Sequence, residues 1–124
     1  MELTVDHRSD RPVYLQVMDG IKTLIYRSQL GLGAQLPTVR ALAATLDINP
    51  NTVARAYQEL EREGLINSRV GRGTFIAQFE KPKEDKIVAA RLKELEREFQ
   101  DRCVKLGLTE EQFLAHIKTS RRSP

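Results

Sequence analysis

The sequence predicts a mainly α-helical protein with one small β-hairpin, followed by a helical tail. Three apolar stripes with the spacing of amphipathic helices precede two alternating segments around Gly71-Arg72-Gly73, and a fourth stripe follows residue 83. The order helix, tight turn, helix and hairpin over residues 36–75 is that of a winged helix-turn-helix. We therefore expect a winged-helix domain at 1–79, a hinge at 80–83 and a short helical dimerisation tail at 84–124.

Composition and charge limit the functional classes. The chain has 124 residues, a formal charge of +3 and one cysteine, Cys103, which fits a reducing compartment. Residues 1–80 contain nine basic and nine acidic side chains, so the basic excess lies in the tail and net charge does not argue for DNA binding. The sequence contains no apolar run of membrane-spanning length, and the charged N-terminal segment is unlike a signal peptide. We expect a cytoplasmic protein without a membrane partner.

The first helix is predicted from Pro12, which suits a first helical turn. Before it, Leu3 and Val5 alternate with polar residues and predict a short edge strand or an ordered arm. Gly20 lies within the helix at a cost of about 1 kcal/mol relative to alanine, and the glycines of segment 31–33 are expected to end it. Its apolar stripe comprises Tyr14, Val17, Met18, Ile21, Leu24 and Ile25.

The second and third helices have clear start signals. Thr38 is the predicted N-cap of the second helix, and residues 47–48 form the turn after it. Asn49 caps the third helix, Pro50 takes its first position and Gly64 ends it. The inner faces are predicted to be Val39, Leu42, Ala43 and Leu46 in the second helix, and Val53, Tyr57 and Leu60 in the third.

The third helix has the residues that a recognition helix needs. The N-terminal part of such a helix approaches the base edges of DNA, so the predicted base-contacting residues are Asn49, Asn51, Thr52 and Arg55. Asparagine pairs with adenine and arginine with guanine through two hydrogen bonds, each pair discriminating by roughly 1–3 kcal/mol. The alternative for Arg55 is an ion pair with Glu59, Glu61 or Glu63; we favour DNA for Arg55 and the ion pair for Arg62.

Backbone contacts are predicted at two further places. Arg40, near the start of the second helix beside Thr38, suits a DNA phosphate; the alternatives are an ion pair with Asp47 or a solvated side chain. The hairpin is expected from strands 65–70 and 74–78. Its tip, formed by Arg69, Gly71, Arg72 and Gly73, allows positive φ angles and close approach to a minor groove or to phosphates.

The tail is predicted as a helix over residues 84–106, roughly 35 Å long, and a short final helix capped by Thr109 and Gln112. Residues 119–124 are expected to be disordered. One helix face has heptad-like apolar spacing and is the predicted dimer interface, comprising Val88, Leu92, Leu95, Phe99 and Leu106. The alternative is that this face packs within one protomer, and parallel or antiparallel pairing stays open.

Three segments resemble a known family: PVYLQVMDGIKTLI, LPTVRALAATLDINPNTVARAYQELEREGLI and GRGTFI. They are similar to the DNA-binding domain of the GntR family of bacterial transcription regulators, over about residues 10–79. NPNTVARAYQELEREGL, with a short helical tail, resembles the YtrA subfamily in particular. The resemblance implies a winged helix-turn-helix that binds double-stranded DNA as a homodimer on a palindromic operator and usually represses.

The tail is too short for the large sensor or pyridoxal-phosphate domains of other family members. We therefore expect no cofactor, no metal and no small-molecule effector of the usual kind. An enzyme is not expected, because His7 and His116 are far apart in sequence and Cys103 falls on the apolar face. A winged-helix protein-interaction module is the main alternative. Arg72 between two glycines and the asparagines at 49 and 51 favour DNA over that alternative. An RNA-binding winged helix would show exposed aromatic residues, and Tyr57 is expected in the core.

Overall fold

The computed structural model describes residues 1–79 and 84–121, which form two compact units, one on each side of residues 80–83. The predicted hinge lies outside the described residues. In chain order the elements are α1 (Val13–Tyr26), α2 (Val39–Leu46), α3 (Pro50–Arg62), β1 (Ile66–Arg69), β2 (Gly73–Ile76), α4 (Glu84–Leu106) and α5 (Glu110–Arg121). The predicted mainly α-helical winged helix-turn-helix with a helical tail is confirmed.

The core of the first unit forms where α3 packs against both α1 and α2. The three predicted apolar stripes supply it, and Val17 and Ile21 of α1 and Val53 and Leu60 of α3 are fully buried. Ala56 adds a small buried side chain that allows close packing along α3. Burying these side chains supplies most of the driving force for folding. It also fixes which face of α3 points inward.

The predicted caps of α2 and α3 are confirmed. The Thr38 hydroxyl accepts the Ala41 N–H at 3.1 Å, and the Asn49 Oδ1 accepts the Asn51 N–H at 2.8 Å. Between the two helices Asp47 adopts a left-handed conformation, with a φ of 55°, and closes α2. Each cap satisfies a backbone group that the helix itself leaves unpaired. The tight turn between α2 and α3 therefore has a local cause.

The predicted end of α1 at segment 31–33 is wrong. The helix ends at Tyr26 because Ser28 takes a left-handed φ of 58°. The N–H groups of Gln29 and Leu30 then both donate to the Leu24 carbonyl, at 2.8 and 3.0 Å. Gly33 has a φ of 80°, but it serves a different turn and donates its N–H to the Ile76 carbonyl at 2.9 Å. Gly33 therefore marks a turn, as a glycine often does, but this turn leads the chain to strand β2 and does not end α1.

The N-terminal segment is an ordered arm and not a strand. Gln16 of α1 holds it by two hydrogen bonds: its Oε1 accepts the Asp6 N–H at 2.8 Å, and its Nε2 donates to the Asp6 carbonyl at 3.0 Å. Leu3 and Val5 pack against the edge of the core. The Leu3 side chain lies directly against Gly20, where any Cβ would overlap it. The helical glycine is thus explained by the arm that packs on it.

The hairpin is antiparallel, with Ile66 opposite Ile76 and Arg69 opposite Gly73, and it is shorter than predicted. Strand β2 is also bound on its other edge, by the segment that leads into α2. The Leu36 N–H donates to the Thr74 carbonyl, and the Ile76 N–H donates to the Ala34 carbonyl, both at 2.8 Å. Backbone pairing on both edges holds the hairpin in place beside the helices.

The second unit contains α4, with the predicted bounds, and α5. The Thr109 capping box is confirmed: its hydroxyl accepts the Gln112 N–H at 3.1 Å, and its own N–H donates to Gln112 Oε1 at 2.8 Å. Disorder from residue 119 is wrong as far as Arg121, where α5 ends; residues 122–124 lie outside the described residues. In its last turn the Thr119 hydroxyl donates to the Ala115 carbonyl at 3.0 Å, and Lys118 and Arg121 place basic side chains where a helix C-terminus favours them.

Within the second unit the Phe99 and Phe113 rings meet at 4.6 Å between centroids, and Cys103 is 6% exposed. Neither α4 nor any other helix in the described ranges combines the length and apolar character that a bilayer crossing requires.

Candidate nucleic-acid interface

Helix α3 presents a polar face to solvent. Asn51, Arg55 and Gln58 are exposed, whereas Val53 and Tyr57 on the opposite side are buried. The difference follows from the helical period, since residues three or four apart share a face. The structure thus brings Asn51 and Arg55 together at the N-terminal half of α3, with Asn49 and Thr52 beside them.

The carboxylates near Arg55 in sequence all bind other groups. Their partners are Arg62 for Glu59 at 3.1 Å, Lys22 of α1 for Glu63 at 2.9 Å, and the Ser68 N–H for Glu61 at 3.0 Å. The predicted surface ion pair of Arg62 is confirmed. Arg55 has no ion pair with any residue that the structure describes.

Arg55 contacts an aromatic ring that sequence reasoning assigned only to the core. Its Cζ lies 3.8 Å from the centroid of the Tyr14 ring, a cation–π contact between α3 and the start of α1. The two side chains border an open depression of about 330 Å³, which Val13, Asn49, Asn51 and Thr52 complete. The sequence held one signal for this contact, a tyrosine at the edge of an otherwise aliphatic stripe. It did not show which helix that tyrosine would meet.

Arg40 is exposed in the first turn of α2. Its predicted alternative, an ion pair with Asp47, does not form, and within the described ranges its side chain has no hydrogen-bonding or ionic partner. Thr38 is also exposed, but its hydroxyl is engaged in capping α2. Arg40 is therefore a solvated cation beside a helix start, a setting suited to an anionic group.

The wing tip depends on its two glycines. Gly71 and Gly73 have φ angles of 73° and 117°, which a residue with a Cβ rarely adopts. The Gln35 Nε2 donates to the Arg72 carbonyl at 3.1 Å, and a Cβ on Gly73 would lie 2.6 Å from that nitrogen. Arg72 is exposed, and Arg69 lies over the Phe75 ring at 5.3 Å. Gln35 therefore orients the tip, a role that sequence reasoning missed.

A partly buried hydrogen bond ties α3 to the backbone just before α2. The Tyr57 hydroxyl donates to the Pro37 carbonyl at 2.9 Å, immediately before the N-cap of α2. Burial removes Tyr57 from water and raises its pKa to about 12. The ring lies in the core, as predicted, and is not available to stack on a nucleic-acid base.

The predicted dimer face of α4 is mostly exposed in the chain. Val88, Leu92, Leu95 and Leu106 are 49%, 59%, 61% and 59% exposed, and Phe99 is half-buried against Phe113. We call Val88, Leu92, Leu95 and Leu106 the α4 seam. Among the described residues no three histidine, cysteine or acidic side chains are grouped as metal ligands.

A helix-turn-helix with an exposed polar recognition helix and a basic wing defines the class of winged-helix DNA-binding proteins. The family model of the bacterial regulatory proteins of the gntR family matches residues 13–76, from the start of α1 to the end of β2. The chain belongs to this family.

Individual proteins similar to this chain support the same family assignment. The chain is 41% identical over 116 residues to the uncharacterized HTH-type transcriptional regulator YhcF of Bacillus subtilis (strain 168), covering 90% of this chain and 92% of YhcF. It is 45% identical over 76 residues to the HTH-type transcriptional repressor YtrA of the same organism, covering 61% of this chain and 58% of YtrA. The solved DNA-binding domain of AraR in complex with operator ORX1 has a TM-score of 0.57 and 27% identity, covering 62% of this chain and 99% of that domain. The resemblance to YtrA-like GntR regulators is confirmed, and the chain is a DNA-binding transcriptional regulator.

Proposed function

We propose that two copies of the chain bind a two-fold symmetric operator and repress transcription there. Each copy places the N-terminal half of α3 in the major groove, with the wing against the adjacent backbone. One observation carries this proposal: the polar face of α3 is exposed while the carboxylates nearest Arg55 bind other groups. A cationic donor kept free of acidic neighbours is suited to an external acceptor.

Base reading is assigned to the residues around the depression at the start of α3. Arg55 offers two parallel N–H donors to a guanine, and Asn51 offers a donor and an acceptor to an adenine. Asn49 and Thr52 lie beside them, although the Asn49 side chain also caps α3. Specificity therefore rests chiefly on Asn51 and Arg55.

Backbone contacts are assigned to Arg40 and to the wing. Phosphate contacts fix the position of a protein on the duplex and depend strongly on salt. Arg40 supplies a free cation at the start of α2, and Arg72 supplies another at a tip that Gln35 holds. The glycines at 71 and 73 let the backbone approach closely.

Dimerisation is assigned to the α4 seam. Four large apolar side chains, each about half exposed or more, lie on one face of a 23-residue helix. Exposed apolar patches of this kind mark interaction surfaces. A second copy would bury the seam and supply the two-fold axis that two half-sites, roughly 34 Å apart, require.

Repression and location complete the proposal. YtrA, similar over 76 residues, is named a transcriptional repressor. A protein that occupies an operator blocks transcription without an enzymatic step, so we assign no catalysis and no cofactor. We also assign no effector of the usual kind. The proposed ligand of the protein is chromosomal DNA, so we place the protein in the cytoplasm.

Fluorescence anisotropy tests specific binding. The labelled duplex is the upstream region of the protein's own operon, and the control is the same duplex with its bases shuffled, at about 150 mM salt. We expect a preference of about a thousandfold for the first duplex, with two protomers bound per site. Equal weak binding to both would refute sequence-specific regulation and would favour the protein-interaction module.

A matched pair of charge substitutions tests the dimer. Leu95→Glu places a carboxylate on the α4 seam, whereas Ala90→Glu places the same group at an exposed position on the opposite face. We expect Leu95→Glu to give monomers by sedimentation and to weaken operator binding severely, while Ala90→Glu changes neither. A monomeric Leu95→Glu protein with full affinity would remove dimerisation from the proposal.

A further inference from the structure

We propose that Tyr14 is a positioning residue for base recognition, because its ring holds the Arg55 guanidinium in the orientation that DNA meets. The inference rests on the proposed function, since it assigns a partner to the arginine that reads a base. It adds a residue of α1, outside the helix-turn-helix itself, to the determinants of specificity.

The ring of Tyr14 is a fixed platform. Tyr14 is the second residue of α1, which packs directly on α3, and its half-buried ring contacts the edge of the core. Two χ angles leave a packed tyrosine little freedom. The Arg55 Cζ is 3.8 Å from the ring centroid, well inside the distance of about 6 Å at which a cation and a ring attract.

This contact suits recognition because it leaves the donors of the guanidinium free. A cation–π contact engages the π-face of the ring and uses none of the N–H groups of arginine in hydrogen bonds. Over the described residues those N–H groups have no hydrogen-bond acceptor. An arginine already held in place loses less side-chain freedom when it binds a base. Tyr14 therefore favours binding through Arg55.

The neighbouring side chains support the assignment. Glu59, one turn after Arg55, is paired with Arg62 at 3.1 Å and does not draw Arg55 away from the ring. Asn51 borders the same depression as Tyr14 and Arg55. Both residues assigned to base reading thus lie at one site whose wall is the Tyr14 ring.

The test uses the full chain and an operator that it selects from a pool of duplexes with a randomised centre. Single-base variants of that operator compete for binding in one sample, and Arg55→Ala identifies the position that Arg55 reads. At that position we expect Arg55→Ala to reduce the preference about five- to a hundredfold. Tyr14→Leu, which keeps apolar volume but removes the ring, should reduce it about two- to fivefold. The matched variant Tyr14→Phe keeps the ring and should retain the preference.

The double variant separates positioning from a structural role. In the Arg55→Ala background, Tyr14→Leu should cause no further loss of preference, because the ring then has nothing to hold. A ratio measured within one sample is insensitive to the fraction of folded protein, so lowered stability alone leaves it unchanged. Equal losses in both backgrounds, a loss in Tyr14→Phe as large as in Tyr14→Leu, or a preference unchanged in Tyr14→Leu would overturn the inference. A wild-type protein that selects no operator would instead refute the proposed function itself.

Discussion

The substitution Tyr57→Phe isolates the hydrogen bond that ties α3 to the start of α2. Tyr57 is 5% exposed, and its hydroxyl donates to the Pro37 carbonyl at 2.9 Å. Phenylalanine keeps the packed ring and leaves that carbonyl without its partner, so we expect a loss of about 1 kcal/mol in the free energy of unfolding at neutral pH. The same bond anchors the backbone just before Thr38, so its loss also loosens the start of α2.

At alkaline pH the order of stabilities should reverse. Burial raises the pKa of Tyr57 from its ordinary value of 10.0 to about 12. The unfolded tyrosine therefore ionises first, and between these two pKa values the unfolded state binds fewer protons than the folded state. The wild-type free energy of unfolding then falls by about 1.4 kcal/mol per pH unit, or about 3 kcal/mol in all. Phenylalanine has no proton to lose, so the two stability curves should cross at about pH 11.

Urea unfolding followed by far-ultraviolet circular dichroism measures both effects. Wild type and Tyr57→Phe are compared at one protein concentration from neutral pH to about pH 12. All other side chains are the same in the two proteins, so their contributions cancel in the difference between the curves. A difference that stays constant with pH would refute the ionisation argument. Equal stability at neutral pH would show that the hydrogen bond contributes nothing.

Three further predictions concern other parts of the chain. Arg40→Ala should weaken binding to operator and shuffled duplex alike and reduce the salt slope by about 1 in a titration at several salt concentrations; a loss confined to the operator would contradict the phosphate role. Gly20→Ala introduces a Cβ that overlaps Leu3, so hydrogen exchange in the N-terminal arm should accelerate although alanine favours the helix by about 1 kcal/mol. Gly31→Ala, whose Cβ would meet nothing within 4 Å, is its control, and equal protection of the arm in both variants would disprove the clash. Thr109→Ala should destabilise α5 by about 1 kcal/mol, measured as faster amide exchange along that helix, and unchanged exchange would show that the cap is dispensable.

Local signals in the sequence were sufficient wherever a single element satisfies its own backbone. Thr38, Asn49 with Pro50, and the Thr109 capping box each marked a helix start correctly, because a cap bonds within two or three residues of itself. The buried stripe of α3 followed from helical periodicity alone. The exposed positions of Asn51 and Arg55 then followed, since they occupy the opposite face.

Errors arose where a local signal had two possible uses. The glycines at 31 and 33 favour the end of a helix as much as a turn before a strand, and only the pairing of Gly33 with Ile76 decides between them. A left-handed serine, Ser28, ended α1 where the sequence offered no glycine. The end of α5 was predicted wrongly because a polar composition indicates disorder as readily as a solvent-exposed helix end, where basic residues such as Lys118 and Arg121 are favoured.

The sequence by itself determined the class of this protein, because caps, helical periodicity and turn glycines are local and together allow few folds. It also determined which residues of α3 face outward. Tertiary structure alone decided what those residues meet. The Tyr14 ring beneath Arg55 and the Gln35 side chain at the wing tip are contacts made when separate parts of the chain pack together. Such contacts depend on distances between elements in space, which no periodicity or spacing along the chain encodes.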